Sequence, residues 1–164
     1  MYGRSEMNQK EHHYQVNVKW TGNKGSGTQS YKTYERNYEI SAGGKPVISG
    51  SSDPAFLGDA KCWNPEDLLV AAASACHKLW YLHLCSEAGI SVLSYVDQAK
   101  GTMREGKKGC FTDITLQPEI TIRLGDDINR ALALHHRAHE LCFIANSLNF
   151  PITCQPVITH SEYG

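Results

Sequence analysis

The pattern of hydrophobic and polar positions predicts an α+β chain in which short strands surround two long helices. Apolar and aromatic residues alternate with polar ones at residues 14–20 and 30–40, as in half-buried strands. A turn at Gly43-Gly44 leads into a short third strand near Val47. Further strand-like stretches lie at residues 92–103, 111–122 and 152–159. With the helices placed between them, the predicted order is βββ-α-ββ-α-β.

The first predicted helix begins after Asn64, with Pro65 at its first position and acidic residues in its first turn, and it stops at Gly89. From Leu68 to Cys76 it is apolar or small on every face, so we expect it to be buried on every face. Charged residues and histidines interrupt the apolar run well before the ~18 residues of a membrane span. A chain of this size has too little other structure to cover such a helix, which indicates an oligomer.

The second predicted helix starts near Asp126-Asp127 and cannot continue through Pro151. Its inward stripe follows the helical repeat and carries Ile128, Ala131, Leu132, Ala138, Leu141, Cys142 and Ala145.

Charge and composition narrow the possible functions. Lys+Arg is 16 against Asp+Glu 17, giving a net charge of −1, so neither nucleic acid nor a membrane surface is an expected partner. The length fits one domain at residues 11–164, after a tail or cloning remnant at residues 1–10. No Gly-rich phosphate loop is present, and we expect no cofactor. Without a secretory signal, the six cysteines should be reduced thiols in the cytoplasm.

Cys76 and Cys142 lie on the buried faces of the two helices, where they are either packing residues or a redox pair. A rival interpretation is a metal-binding dimer, because His135, His139 and Cys142 follow one helix face at i, i+4 and i+7. Its fourth ligand would come from Cys76 or His77, although no metal-binding motif supports it. The remaining cysteines are expected to serve packing: Cys62, Cys85, Cys110 and Cys154.

Two sequence blocks resemble the OsmC/Ohr family: NPEDLLVAAASACH at residues 64–77 and AHELCFIANSLNFPI at residues 138–152. The segments GTQSYKTYERNYEI and GSSDPAFLGD resemble its OsmC-like branch, and the likeness extends over residues 13–158. The resemblance implies the OsmC-like fold, an intertwined homodimer with shared active sites, and a thiol-dependent peroxidase that prefers organic hydroperoxides. It implies an external dithiol, often of lipoyl type, as the reductant.

The resemblance also implies roles for four residues. Cys76 corresponds to the reactive cysteine and Cys142 to the cysteine that resolves its sulfenic acid as a disulfide. Glu66 corresponds to the glutamate of the family's N-P-E segment, and Arg36 is the best match to an arginine of the N-terminal strands. Many relatives have proline directly after the second cysteine, where this chain has Phe143.

Physical chemistry agrees with these roles and adds a constraint. A guanidinium beside the nucleophile favours the reactive thiolate, and Glu66 would hold Arg36 in place. Because Glu66 and Cys76 are ten residues apart, they lie ~15 Å apart along one helix and cannot share a site within one chain. Two copies of the helix crossing antiparallel near Ala71 would bring Glu66 of one to Cys76 of the other.

Secondary roles are expected for the neighbours of the two thiols. His77 and His139 are candidates for supporting contacts to the site. Three aromatic residues either favour apolar hydroperoxides or belong to the core: Trp80, Tyr81 and Phe143. A further alternative is an OsmC-like dimer without catalytic activity that binds an apolar ligand.

Overall fold

The computed structural model describes residues 10–162, and the chain divides into two compact units, Met1–Pro65 and Glu66–Gly164. The predicted N-terminal tail lies outside the described residues except for Lys10, which is exposed.

The first unit contains one antiparallel sheet of three strands, β1 (Asn17–Trp20), β2 (Tyr38–Ser41) and β3 (Ile48–Gly50), in the order β1-β2-β3. Ile40 is central, since it pairs with Val18 on one side and Ile48 on the other. The third predicted strand is therefore confirmed, and the first is confirmed only over Asn17–Trp20, where all four residues are exposed rather than half-buried. A loop with a short 3₁₀ helix at Pro54–Phe56 follows them, in the region predicted to be irregular.

The second predicted strand, residues 30–40, was wrong for most of its length, because only its last residues join the sheet. Ser30 instead begins a turn, and its carbonyl accepts hydrogen bonds from both the backbone N–H and the hydroxyl of Thr33. Glu35 then returns to the first strand region, where its carbonyl accepts a bond from the Trp20 indole at 2.8 Å. Side chain to backbone bonds of this kind compete with strand pairing, which alternation alone does not reveal.

The second unit is built around α1 (Pro65–Glu87), the long helix that the sequence predicts. Within the single chain it is buried on one face only, at Ala73, His77, Tyr81 and Cys85. The expectation that it is buried on every face is therefore not met by one copy of the chain. By length and mean hydropathy alone, α1 is also long and apolar enough to cross a bilayer. Core helices of globular proteins can meet the same criterion.

Two three-stranded sheets complete the second unit, in the orders β4-β7-β9 and β5-β6-β8. The neighbours β4–β7 and β5–β6 are antiparallel, whereas β7–β9 and β6–β8 are parallel. The strands are β4 (Val92–Asp97), β5 (Lys100–Arg104), β6 (Cys110–Leu116), β7 (Pro118–Ile122), β8 (Ile152–Cys154) and β9 (Val157–His160).

Each of the last three predicted strands is thus divided in two, and the halves belong to different sheets. The break between β6 and β7 is fixed by Asp97, whose carboxylate accepts a hydrogen bond from the Gln117 backbone at 2.7 Å and another from the Ser74 hydroxyl at 2.5 Å. Pro156 lies at the break between β8 and β9, where a residue without an N–H cannot continue a ladder. The predicted order of elements is otherwise confirmed.

The second helix, α2 (Ile128–Leu141), is capped at its N-terminus by Asp127, whose carboxylate accepts the Arg130 N–H. It buries Ala131, His135 and Ala138. The helical repeat placed Cys142 within this helix, but in the structure Cys142 is the C-cap residue, with an extended backbone. A 3₁₀ turn at Ala145–Ser147 follows it. One apolar cluster joins both helices to β7, and a second joins α1 to β6.

Candidate redox site

Cys76, midway along α1, and Cys142, at the end of α2, are brought together. The two thiols share a hydrogen bond, and the Ala145 N–H donates a second bond to the Cys142 sulfur at 3.4 Å. Cys142 is buried, whereas Cys76 is half-buried, and both are free thiols. The sequence placed both residues on buried helix faces, whereas the structure has Cys76 half-buried on α1 and Cys142 buried just after the end of α2.

The environment of Cys142 favours its protonated form. Burial, and then the hydrogen bond that the thiol makes to Cys76, raise the pKa of Cys142 to about 11. Near neutral pH it is therefore a neutral thiol. A thiol of this kind is a poor first nucleophile, but it is placed to meet an electrophilic sulfur on its more accessible neighbour.

An apolar pocket of about 380 Å³ opens beside Cys76 and is lined by Cys76, Leu79, Trp80, His83 and Phe143. The Trp80 and Phe143 rings meet edge to face, with centroids 5.7 Å apart. Of the three aromatic residues named from the sequence, Trp80 and Phe143 line this pocket. Tyr81 is fully buried in the core, and the sequence analysis did not single out His83.

Arg36 belongs to the first unit, where two tyrosines hold its guanidinium. The guanidinium carbon lies 4.3 Å from the centre of the Tyr31 ring and 4.2 Å from that of the Tyr34 ring. Its nitrogens donate to the carbonyl oxygens of the same two residues, at 2.5 and 2.6 Å. Glu66 lies half-buried in the first turn of α1, in the second unit. The catalytic roles of both residues stay predictions.

A second buried group gathers His77, His135 and Cys154, which we call the His-His-Cys cluster. Nε2 of His77 lies 2.9 Å from Nδ1 of His135, and the Cys154 sulfur lies 3.7 and 3.6 Å from these two atoms. The predicted metal set was His135, His139 and Cys142. Within residues 10–162, the three potential ligands whose donor atoms lie close together are instead the members of this cluster.

The cluster could not be predicted from spacing because its members come from α1, α2 and β8. The Cys142 thiol is hydrogen-bonded to Cys76, and His139 is exposed. The side chains at i, i+4 and i+7 therefore do not converge on one metal position. The usable signal was burial: His77 lies four residues after Ala73 and His135 four after Ala131, on the inward face of each helix. Cys154, expected only to pack, is the third member.

The second unit has two helices packed on two sheets, and a thiol from each helix region contacts the other. These features define a small thiol protein of the α+β class. The model of the OsmC-like protein family matches residues 58–156, and the chain belongs to this family. None of the curated proteins compared with the chain matches it.

Solved structures extend the likeness over most of the chain. An OsmC-like protein of unknown function from Vibrio cholerae is 27% identical, with a TM-score of 0.82 over 90% of this chain and 100% of that one. An organic hydroperoxide resistance protein from Legionella pneumophila is 21% identical, with a TM-score of 0.64 over 91% and 99%. The organic hydroperoxide resistance protein OhrB of Bacillus subtilis is 18% identical, with a TM-score of 0.58 over 89% and 98%. The fold is thus that of the OsmC-like proteins.

Proposed function

We propose that this chain is a cysteine-based peroxidase that reduces organic hydroperoxides to alcohols. Two of the proteins that share its fold are described as organic hydroperoxide resistance proteins. The observation that carries the proposal is the hydrogen-bonded pair of Cys76 and Cys142 beside an apolar pocket. A catalytic disulfide can form only between two thiols that reach each other. An apolar pocket beside them favours an apolar substrate.

In the proposed reaction, the Cys76 thiolate attacks the terminal oxygen of the hydroperoxide. The O–O bond breaks, the alkoxide takes a proton and leaves as the alcohol, and Cys76 becomes a sulfenic acid. Cys142 then attacks the oxidised sulfur; its proton and the sulfenic hydroxyl leave as water, and a Cys76–Cys142 disulfide forms. An external dithiol, of lipoyl type by family resemblance, returns both cysteines to thiols by exchange.

Arg36 and Glu66 are assigned to the same site in a homodimer. Two of the five guanidinium N–H donors of Arg36 are used by carbonyl groups, so others can orient the peroxide and favour the thiolate. Glu66 and Cys76 are ~15 Å apart along α1. A second copy crossing antiparallel brings Glu66 of one protomer to Cys76 of its partner, where the carboxylate positions Arg36.

The pocket sets the expected substrate class. Leu79, Trp80 and Phe143 offer apolar surface next to Cys76, which favours a hydroperoxide with a bulky hydrocarbon group over hydrogen peroxide. The catalytic disulfide would be transient, which suits a reducing cytoplasm.

The test is consumption of cumene hydroperoxide with a dithiol reductant. We expect Cys76→Ser to lower the rate by about 10³-fold or more, since the nucleophile is lost. The matched control is Cys110→Ser, which removes an exposed thiol on β6 and should leave the rate unchanged. Equal rates in wild type and Cys76→Ser would overturn the proposal and favour a dimer that only binds an apolar ligand.

The resolving role of Cys142 is tested separately. After one equivalent of hydroperoxide, Cys142→Ser should accumulate a sulfenic acid on Cys76 that dimedone traps, whereas wild type should form the disulfide. Peptide mass spectrometry distinguishes the two products. A disulfide from Cys76 to another cysteine in wild type would show that Cys142 is not the resolving thiol.

A further inference from the structure

We infer that the His-His-Cys cluster is a zinc site, separate from the thiol pair that the proposed peroxidase reaction uses. Its ligands are Nε2 of His77, Nδ1 of His135 and the sulfur of Cys154, and the fourth position is open to water or a small anion. Imidazole nitrogens and one thiolate are ligands that Zn²⁺ accepts readily, and three protein ligands with an open position is a recurrent zinc arrangement.

The distances fit one bound ion. Zinc lies ~2.0–2.1 Å from imidazole nitrogens and ~2.3 Å from thiolate sulfur, so tetrahedral edges are ~3.6 Å from sulfur to nitrogen and ~3.3 Å between nitrogens. The sulfur is 3.6 and 3.7 Å from the two nitrogens, which matches. The nitrogens are 2.9 Å apart, so they need to separate by only about 0.4 Å to reach tetrahedral spacing.

The three donor atoms form a triangle in which the two imidazole nitrogens share a hydrogen bond at 2.9 Å and the Cys154 sulfur lies to one side. The sulfur is almost equally far from His77 and His135 and makes a short bond to neither. In the part of the chain that the structure describes, Nε2 of His135 is buried without a hydrogen-bond partner, and the Tyr81 ring stacks on His135 at 3.9 Å. The polar contacts of the His135 ring are therefore made by Nδ1 alone, to His77 and Cys154, and a zinc bond at Nδ1 would take the place of the hydrogen bond to His77.

Zinc binding at the cluster is coupled to proton release. Each buried ring presents one nitrogen to the cluster, Nε2 for His77 and Nδ1 for His135. Cys154 is a free thiol, and a cysteine binds zinc as the thiolate. Zinc therefore displaces one proton, which passes to solvent as the Zn–S bond forms.

Charge is balanced around the bound ion. The Cys154 thiolate supplies one negative charge, and the Asp97 carboxylate, which acts electrostatically on both His77 and Cys154, supplies a second. Asp97 is held by the Ser74 hydroxyl and the Gln117 N–H. Two negative charges neutralise Zn²⁺, so the ion is not left as an uncompensated charge in the core.

Direct titration of the reduced, chelator-treated full-length chain with zinc tests the inference. We expect one zinc per chain and a rise in Tm of about 5 °C or more at saturating zinc, because the ion ties α1, α2 and β8 together. His135→Gln and Cys154→Ser should each weaken zinc binding by at least about tenfold. His136→Gln, one residue along on the exposed side of α2, and Cys110→Ser are the matched controls and should bind as wild type does.

Cobalt substitution gives a readout that does not depend on whether the cluster variants fold. Co²⁺ bound by a thiolate shows a sulfur-to-metal charge-transfer band, and we expect that band to persist in the Cys76→Ser/Cys142→Ser double variant. Its loss there would place the metal on the redox pair and overturn the inference. So would zinc binding that disappears in a His12→Gln/His13→Gln variant, or no stoichiometric binding at all. Neither readout uses hydroperoxide, so this inference and the proposed peroxidase can fail independently.

Discussion

At the scale of single residues, the two thiols of the candidate site differ in what their surroundings permit. Cys142 is buried and hydrogen-bonded to Cys76, and its pKa is raised to about 11. The thiolate is the reactive form of cysteine, so this shift keeps Cys142 unreactive until a partner sulfur is oxidised. The order of events in the proposed reaction therefore follows from burial.

This asymmetry predicts slow alkylation of Cys142. At pH 8, a thiol with a pKa of about 11 has roughly 200-fold less thiolate than an ordinary cysteine. A more basic thiolate is also more nucleophilic, which offsets part of this difference, so we expect iodoacetamide to label Cys142 at least about tenfold more slowly than the exposed Cys110, with a rate that rises about tenfold per pH unit up to pH 11. Peptide mapping of the reduced protein measures both rates in one sample.

The Cys76→Ala variant separates the two causes of the shift. Without its hydrogen bond to Cys76, Cys142 should label faster, but burial, the larger cause, should still hold it well below Cys110. Labelling of Cys142 as fast as Cys110 at pH 8 in the wild type would contradict the structure of the site.

At the scale of elements, the C-terminal end of α1 is set by Gly89, the residue at which the sequence predicts that the helix stops. Gly89 has φ +73°, in the left-handed region, and it directs the Ile90 N–H back to the Cys85 carbonyl at 2.9 Å. Ile90 is then buried against the helix, which completes the C-terminal cap.

Gly89→Ala should therefore destabilise the protein by about 1 kcal/mol, because a Cβ is unfavourable in this conformation. Gly106→Ala is the control: that residue has no left-handed φ and nothing within 4 Å of its added Cβ, so its effect should stay within about 0.5 kcal/mol. Urea unfolding followed by circular dichroism measures both. A neutral Gly89→Ala would show that the cap contributes nothing to the helix end.

The elements also show how far sequence reasoning reaches. Both helices and most strand positions follow from local signals: the proline at the start of α1, Gly89 at its end, and the periodic stripe of α2. Local signals did not show where a strand changes sheet, because Asp97 and Gln117 are brought together by tertiary structure. The same limit applies to the cysteines. Cys76 and Cys142 were singled out by their predicted helix positions and by the family resemblance, whereas Cys154 gains its neighbours only through folding.

At the scale of the whole molecule, α1 is the element that one copy of the chain leaves incomplete. Its outward face carries small and apolar residues that remain exposed, namely Ala71, Ala72, Ala75 and Leu79. Exposed apolar stripes of this kind are a common feature of protein interfaces. The proposed homodimer would cover it and would also supply Glu66 to the site of its partner.

The dimer predicts a mass of twice the 18.2 kDa chain mass in sedimentation equilibrium. In a twofold interface a residue on the axis meets its own copy, so Ala71→Arg would set two positive charges against each other and should yield monomers. Ala133→Arg makes the same change on the exposed face of α2 and should leave the dimer intact. Since Glu66 would then no longer reach Cys76, the Ala71→Arg monomer should also lose most of its peroxidase rate while it keeps one zinc per chain. A wild-type monomer at assay concentration, or a dimeric Ala71→Arg, would remove α1 from the interface and leave Glu66 without a role at Cys76.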